Sequence, residues 1–199
     1  MLIVVTGPSG SGKSTILRHV LRDLRGVRFS VSHTTRPRRP SEKDGRDYHF
    51  VDRAEFERKI RRNAFVEWAV VHGQLYGTSK REVTSRGKGG DVLLDIDVQG
   101  ARQVRALDLD AVFVFILPPA FRELKRRLAG RGEDKPAIVE SRLKTARLEI
   151  KDYDRFDYIV INDRLDRAVL ELESIILASR CRLSERKAQV RPILRSFGA

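Results

Sequence analysis

Residues 7–15, Gly7-Pro8-Ser9-Gly10-Ser11-Gly12-Lys13-Ser14-Thr15, constrain the fold more than any other stretch of this chain. They match the phosphate-loop pattern G-x-x-x-x-G-K-[ST] at every required position. Leu2-Ile3-Val4-Val5 ahead of them reads as a short buried strand. Ile16, Leu17, Val20, Leu21 and Leu24 behind them recur at helical spacing. Strand, glycine-rich turn, helix is the order in which such a loop works. The glycines let the backbone curl so that successive N–H groups point at phosphate oxygens. The positive end of the following helix adds to the attraction. In that geometry Lys13 reaches the β- and γ-phosphates of a nucleoside triphosphate, and the Ser14 hydroxyl ligates Mg²⁺.

The chain has 199 residues, enough for one domain with inserts. With 41% hydrophobic and 34% charged residues it fits a soluble globular protein. No apolar run approaches the roughly 18 residues of a membrane span. The N-terminus enters the first strand directly, so no signal peptide is expected. A single cysteine, Cys181, rules out an intrachain disulfide and suits a reducing compartment; a cytoplasmic location is expected. The net charge of +13 fits a nucleic-acid binder, or equally a protein with anionic small substrates and solvated basic faces. Zinc spacing, ribonucleoprotein aromatics and repeats are all missing from the sequence. Neither nucleic acid nor a membrane is therefore expected as a partner, and monomer and homodimer both stay open.

Further along, Val27 to Ser32 alternates like a strand. A long polar loop with two prolines follows, from His33 to Asp47, and Tyr48 to Val51 returns to strand. Asp52 caps a helix bearing Phe56 and Ile60. The apolar run Phe65 to Val71 carries one acid, Glu67. Residues 33 to about 80 thus form a small, mostly β insert. Asp91 to Asp97 is a buried strand with Asp95 and Asp97 at its C-terminal end, which in a parallel sheet faces the ligand crevice. Further strands are expected at Ala111 to Leu117 and Asp157 to Asn162. Helices are expected from Val98, through Phe121, Leu124 and Leu128, from Ile138 to Ile150 and from Leu165. Alternating strands and helices argue for an α/β sheet with right-handed crossovers. The basic tail from Arg180 reads as a frayed helix end or a disordered arm.

Several segments together resemble the guanylate kinase family. These are Ser30-Val31-Ser32-His33-Thr34-Thr35-Arg36-Pro37-Arg38-Arg39 with Gly45-Arg46-Asp47-Tyr48, then Glu67-Trp68-Ala69, then Gly73-Gln74-Leu75-Tyr76-Gly77-Thr78, and Leu94-Asp95-Ile96-Asp97-Val98-Gln99-Gly100. The likeness runs on through Arg131-Gly132 and Arg142 to Asn162-Asp163, covering about residues 2 to 180. It implies transfer of the γ-phosphoryl of ATP to GMP, and to dGMP as well, giving ADP and GDP in purine nucleotide metabolism and GMP recycling. It also implies a P-loop NTPase-type parallel sheet core flanked by helices, with a small GMP-binding β insert and a helical lid. On that basis residues 1–182 are the kinase domain. Its core is about 1–32, 80–120 and 152–182, its insert about 33–79 and its lid about 121–151; residues 183–199 are a basic tail.

The residues make chemical sense of that resemblance. The planar forks of Arg36 and Arg39 suit phosphate oxygens. The resemblance assigns both, with Tyr48 and Tyr76, to the GMP phosphate. Guanine presents N–H donors at N1 and N2, and one carboxylate accepts from both. Glu67 fits that role, with Ser32, Thr78 and Asp97 as the family-matched partners around the base. Asp95 and Asp97 end a buried strand, where two jobs are open: a water-mediated contact to Mg²⁺, or guanine recognition or anchoring of the insert. Asp97 is assigned to substrate and Asp95 to the metal side. Arg131 and Arg142 match lid arginines that stabilise charge on the transferring group, while residues 133–137 depart from the family's usual run. Asn162 matches a position near the adenine. A non-catalytic relative that binds phosphopeptides typically has a degraded phosphate loop, whereas Lys13 and Ser14 are intact here.

Overall fold

The computed structural model describes residues 1–84, 90–130 and 136–198. Five strands form a wholly parallel sheet in the order β2-β7-β1-β8-β9. They are β1 (Leu2–Thr6), β2 (Val27–Phe29), β7 (Asp91–Asp95), β8 (Ala111–Leu117) and β9 (Tyr158–Ile161). β1 lies in the centre and every one of its residues is buried. Its two faces divide by alternation. Ile3 and Val5 pack with Ile16, Leu17 and Val20 of α1 (Lys13–Asp23) and with Leu172 and Ile176 of α7 (Leu165–Arg180). Leu2 and Val4 pack with Ala101 and Val104 of α4 (Val98–Ala106) and with Phe113. A parallel sheet covered on both faces explains why its strands read as near-continuous apolar runs.

A second sheet has the order β4-β3-β6-β5 and is mostly antiparallel. Its strands are β3 (His33–Thr34), β4 (His49–Phe50), β5 (Phe65–Val71) and β6 (Gln74–Ser79). Its own small core is Phe56, Phe65 and Leu75, with Phe56 supplied by α2 (Arg53–Arg61). Asp52 caps α2 as expected, accepting from the Glu55 N–H at 2.7 Å. A Gln103 clasp ties this sheet to α4. The Gln103 side chain accepts from the Trp68 N–H and donates to the Trp68 carbonyl, at 3.2 and 2.7 Å.

Three sequence expectations shift. The strand expected over Val27–Ser32 ends at Phe29. The Ser30 N–H still reaches Leu93 O at 2.9 Å, but the Ser32 carbonyl accepts from His49 instead, so the backbone has changed sheets. The helix expected over Ile138–Ile150 is α6 (Pro136–Glu149), and Ile150–Arg155 tightens into a 3₁₀ turn. The basic tail is neither frayed nor an arm: it forms α8 (Leu183–Ser196). The remaining helices are α3 (Lys80–Thr84) and α5 (Phe121–Ala129), the latter stopping at Gly130.

Candidate active site

The nine loop residues Gly7 to Thr15 run from β1 into the first turn of α1. Gly12, at φ +90°, occupies the N-cap position, and Gly10 lies at φ +89°. Both are left-handed conformations that side chains resist. No side chain caps α1 and no acid sits in its first turn. Its leading N–H groups therefore face an anion without competition. Lys13 folds over the loop, donating to Gly7 O at 3.0 Å and pairing with Asp95 at 3.4 Å. Ser14 and Thr15 are exposed at the start of α1. Asp95 at the end of β7 thus lies beside the loop lysine.

Ser11 is the most heavily held residue of the loop. Its carbonyl accepts from Asn162 Nδ2 at 2.7 Å and from Arg127 at 3.1 Å, and Arg127 also donates to Asn162 O at 3.0 Å. Glu123 orients Arg127 from one helical turn away, at 2.7 Å. Asn162 is buried against the loop, where a Cβ on Gly12 would lie 2.2 Å from its Nδ2. Asn162 therefore braces the loop backbone in this structure. Arg127 went unnoticed in the sequence, where it is one arginine among many. Replacing Arg127 by Ala removes one charge-assisted hydrogen bond to the loop at Ser11 O and a second to Asn162 O, which braces the loop, each worth about 1.5–3 kcal/mol. The expected outcome in steady-state kinetics is a rise of about tenfold in the KM for ATP with the KM for GMP unchanged.

A second cluster forms where β5, β6 and α4 meet. Glu67 is buried on β5, and its Oε1 accepts from the Thr78 N–H at 2.8 Å. Thr78 and Ser32 hydroxyls lie 3.2 Å apart. Asp97 serves as N-cap of α4, accepting from the Gly100 N–H at 2.8 Å. That capping job was not foreseen. Burial pushes the Glu67 carboxyl up to about 7; the Thr78 hydrogen bond opposes the shift and the nearby Asp97 charge reinforces it. Gly100 is where α4 meets Glu67: a Cβ there would sit 2.4 Å from Glu67 Oε2. Gly100 to Ala favours the helix by about 1 kcal/mol, so the fold survives. The expected result is a KM for GMP raised about tenfold at an unchanged KM for ATP.

A third cluster lies further along the same sheet. Tyr76 and Thr78 are two apart on β6 and so share a face. The rings of Tyr48 and Tyr76 lie 5.9 Å apart, edge to face. The Arg36 guanidinium lies 5.4 Å from the Tyr48 ring centre. Burial raises the Tyr48 phenol, so it stays a hydroxyl donor. One residue here escaped the sequence reading. Glu42 accepts from the Arg36 side chain at 2.7 Å and from the Arg39 N–H at 2.9 Å. Burial alone would raise the Glu42 carboxyl, but these bonds and charges hold it below the usual range. A second missed acid is Glu149, at the end of α6. Burial raises it; the Lys13 charge opposes that shift and Asp97 adds to it. His33, packed on His49 and Phe65, is pushed down to about 4 by burial and stays neutral.

Of the lid residues, Arg142 lies on α6, whose Val139, Leu143 and Ala146 pack on Leu124 and Leu128 of α5. Arg131 and most of the atypical 133–137 segment lie outside the described residues.

Fold and site together define a P-loop NTPase-type α/β protein whose phosphate loop faces a second sheet bearing a buried acid. A guanylate kinase family model matches residues 1–179, and the chain belongs to the guanylate kinase family. It is 50% identical to the guanylate kinase of Dechloromonas aromatica over 89% of each chain. It is 48% identical to that of Symbiobacterium thermophilum over 100% of this chain and 95% of the relative. Among solved structures it resembles the guanylate kinase of Anaplasma phagocytophilum, with 32% identity and a TM-score of 0.77 over 92% of this chain and 87% of that one.

Proposed function

We propose that this chain transfers the γ-phosphoryl of ATP to GMP, and to dGMP, in purine nucleotide metabolism. The observation that carries the reading is Glu67, a buried carboxylate in an otherwise apolar strand. Beside it stands Asp97, at the ligand-facing end of the sheet that holds the phosphate loop. A carboxylate at that place accepts from the guanine N1 and N2 donors. Adenine would turn an acceptor toward it, and an unmatched buried polar group costs about 1–3 kcal/mol.

The roles we assign are those that the resemblance implies. Residues Gly7 to Thr15 hold the ATP phosphates, with Asn162 bracing the loop on the adenine side. Ser32, Glu67, Thr78 and Asp97 surround the guanine. Arg36, Arg39, Tyr48 and Tyr76 hold the GMP phosphate. Lys13, Arg36, Arg131 and Arg142 stabilise charge on the transferring group. Transfer is direct and in line, without a covalent enzyme intermediate, and positioning and electrostatics carry it. Closing of the insert (about 33–79) and the lid (about 121–151) on the core excludes water.

The donors near the loop fit Mg²⁺. The Ser14 hydroxyl and the Asp95 carboxylate are hard oxygen ligands, which this ion prefers. Among the described residues no cluster of three or more His, Cys, Asp or Glu could hold a metal, so phosphate oxygens and water complete the shell. Ser14 would hold the ion directly and Asp95 through water. Bound there, Mg²⁺ neutralises charge on the β- and γ-phosphates. Among the described residues no helix is long and apolar enough to cross a membrane. We assign the reaction to the cytoplasm, in keeping with the single cysteine.

The test is ADP release from ATP·Mg²⁺ with GMP, AMP, CMP and UMP offered separately. Turnover with GMP far above the other three supports the assignment. Binding of GMP without turnover would move the chain to the non-catalytic class of relatives.

A further inference from the structure

Helix α8 lies beyond residue 179, where the family-model match ends, and none of the residues assigned to phosphotransfer is on it. None of its residues is buried. On a turn of 3.6 residues, Leu183, Val190, Leu194 and Phe197 fall at spacings of seven, four and three, and Ile193 lies beside them. This is one continuous apolar face. Leu183 is 75% exposed, Ile193 55%, Leu194 48% and Phe197 82%, and Val190 is half-buried among them, so the body of the protein leaves most of this face uncovered. Arg186 falls between Phe197 and Ile193 in angle but about two to three turns earlier along the helix, and Lys187, Arg191 and Arg195 border the other side. From Arg182 to Arg195 there are five basic residues and one acid, Glu185. Glu185 projects from the opposite side of the helix and lies near Asp110, next to β8. Glu185 is half-buried while Leu183, Ile193, Leu194 and Phe197 are exposed, so the apolar, arginine-bordered side faces outward.

We propose that α8 is an interfacial helix that docks this protein on an anionic lipid surface. A basic helix with an open apolar face has the composition such surfaces bind. The apolar side chains enter the acyl boundary while the arginines meet the headgroups. Charge argues against a second copy as occupant, since each copy carries +13 and would bring basic flank against basic flank. Nucleic acid would use the arginines but leave the apolar face exposed. The proposal departs from the sequence expectation of no membrane partner, which rested on the absence of a spanning segment. A helix lying in the interface needs no span.

The experiment is co-sedimentation of the full chain with phosphatidylglycerol–phosphatidylcholine vesicles and with pure phosphatidylcholine vesicles. Binding at least about tenfold stronger to the anionic vesicles is expected, weakening as salt is raised. Leu194→Asp with Phe197→Asp should reduce it about tenfold, and so should Arg191→Glu with Arg195→Glu. Both pairs lie on exposed positions, so the melting temperature should shift by no more than about 4 °C and phosphotransfer should stay within about twofold of the parent. No binding to anionic vesicles at low salt would overturn the proposal. So would binding indifferent to the Leu194 and Phe197 changes, which would reflect the general basic surface. RNA binding tighter than vesicle binding, or a stable dimer broken by Phe197→Asp, would give the helix a different occupant and equally overturn it.

Discussion

Replacing Lys13 by Ala should lower kcat by a factor of about 10³ while leaving the affinity for GMP within about twofold. Lys13 spans the loop mouth, bonded to Gly7 O and paired with Asp95, and no residue of the second sheet holds it. Its loss removes a full charge from the place where the β- and γ-phosphates lie. In phosphoryl transfer, electrostatic stabilisation carries most of the rate. The pair with Asp95 is part-buried, so stability should fall by only about 1 kcal/mol. Single-turnover transfer, calorimetric GMP titration and a thermal melt separate the three effects. A loss of GMP binding equal to the loss in kcat would show that Lys13 serves the fold of the whole cleft instead.

Glu67→Gln should have the second large effect, and it should act in opposite directions on activity and stability. The amide keeps one acceptor and turns a donor toward the other guanine N–H. Losing one charge-assisted bond and mismatching a second costs about 3–4 kcal/mol, or 10²–10³ in kcat/KM for GMP. Stability should rise. The Glu67 carboxyl, pushed up to about 7 by burial, is held protonated more tightly in the folded chain than in the unfolded one. A raised pKa contributes stability that is fully present below about 4.5 and lost as pH rises through about 7. A neutral glutamine retains it at pH 8. The shift is worth up to about 3 kcal/mol, seen as a melting temperature roughly 5–10 °C higher at pH 8 and little changed near pH 4. The same titration gives the parent a pH dependence. Its kcat/KM for GMP should decline as pH falls below about 7, because the protonated acid cannot accept from both donors. The GMP phosphate itself titrates near 6; the variant, lacking the Glu67 contribution, isolates that part.

The phosphate loop was legible because its chemistry is local. Glycines, lysine and hydroxyl are consecutive, and the flanking apolar periods announce strand and helix. The parallel core followed from the same periodicity. Glu67 stood out as an acid in an apolar strand, and Arg36 and Arg39 as forks in a loop that could not be helix. What surrounds these residues was not legible, since it depends on partners distant in sequence. Arg127 meets Ser11 across 116 positions, and Gly100 faces Glu67 only once α4 packs on β5. Glu42 sits six residues from Arg36 and could have been suspected, but nothing in a run of charges says which pairs close. Asp97 was read for substrate alone, although an acid just ahead of Val98-Gln99-Gly100 is also a helix-capping signal. The tail misled through its charge, which drew attention away from the spacing of Leu183, Val190, Leu194 and Phe197 in α8.

The most direct measurement is the ratio of kcat/KM for GMP to that for AMP, in the parent and in Glu67→Gln. The expected parent ratio is at least about 10³, collapsing to within about tenfold in the variant through loss of GMP turnover. A parent that does not turn over GMP, or a variant that keeps the full preference for GMP, would contradict the assignment of Glu67 as the residue that selects guanine.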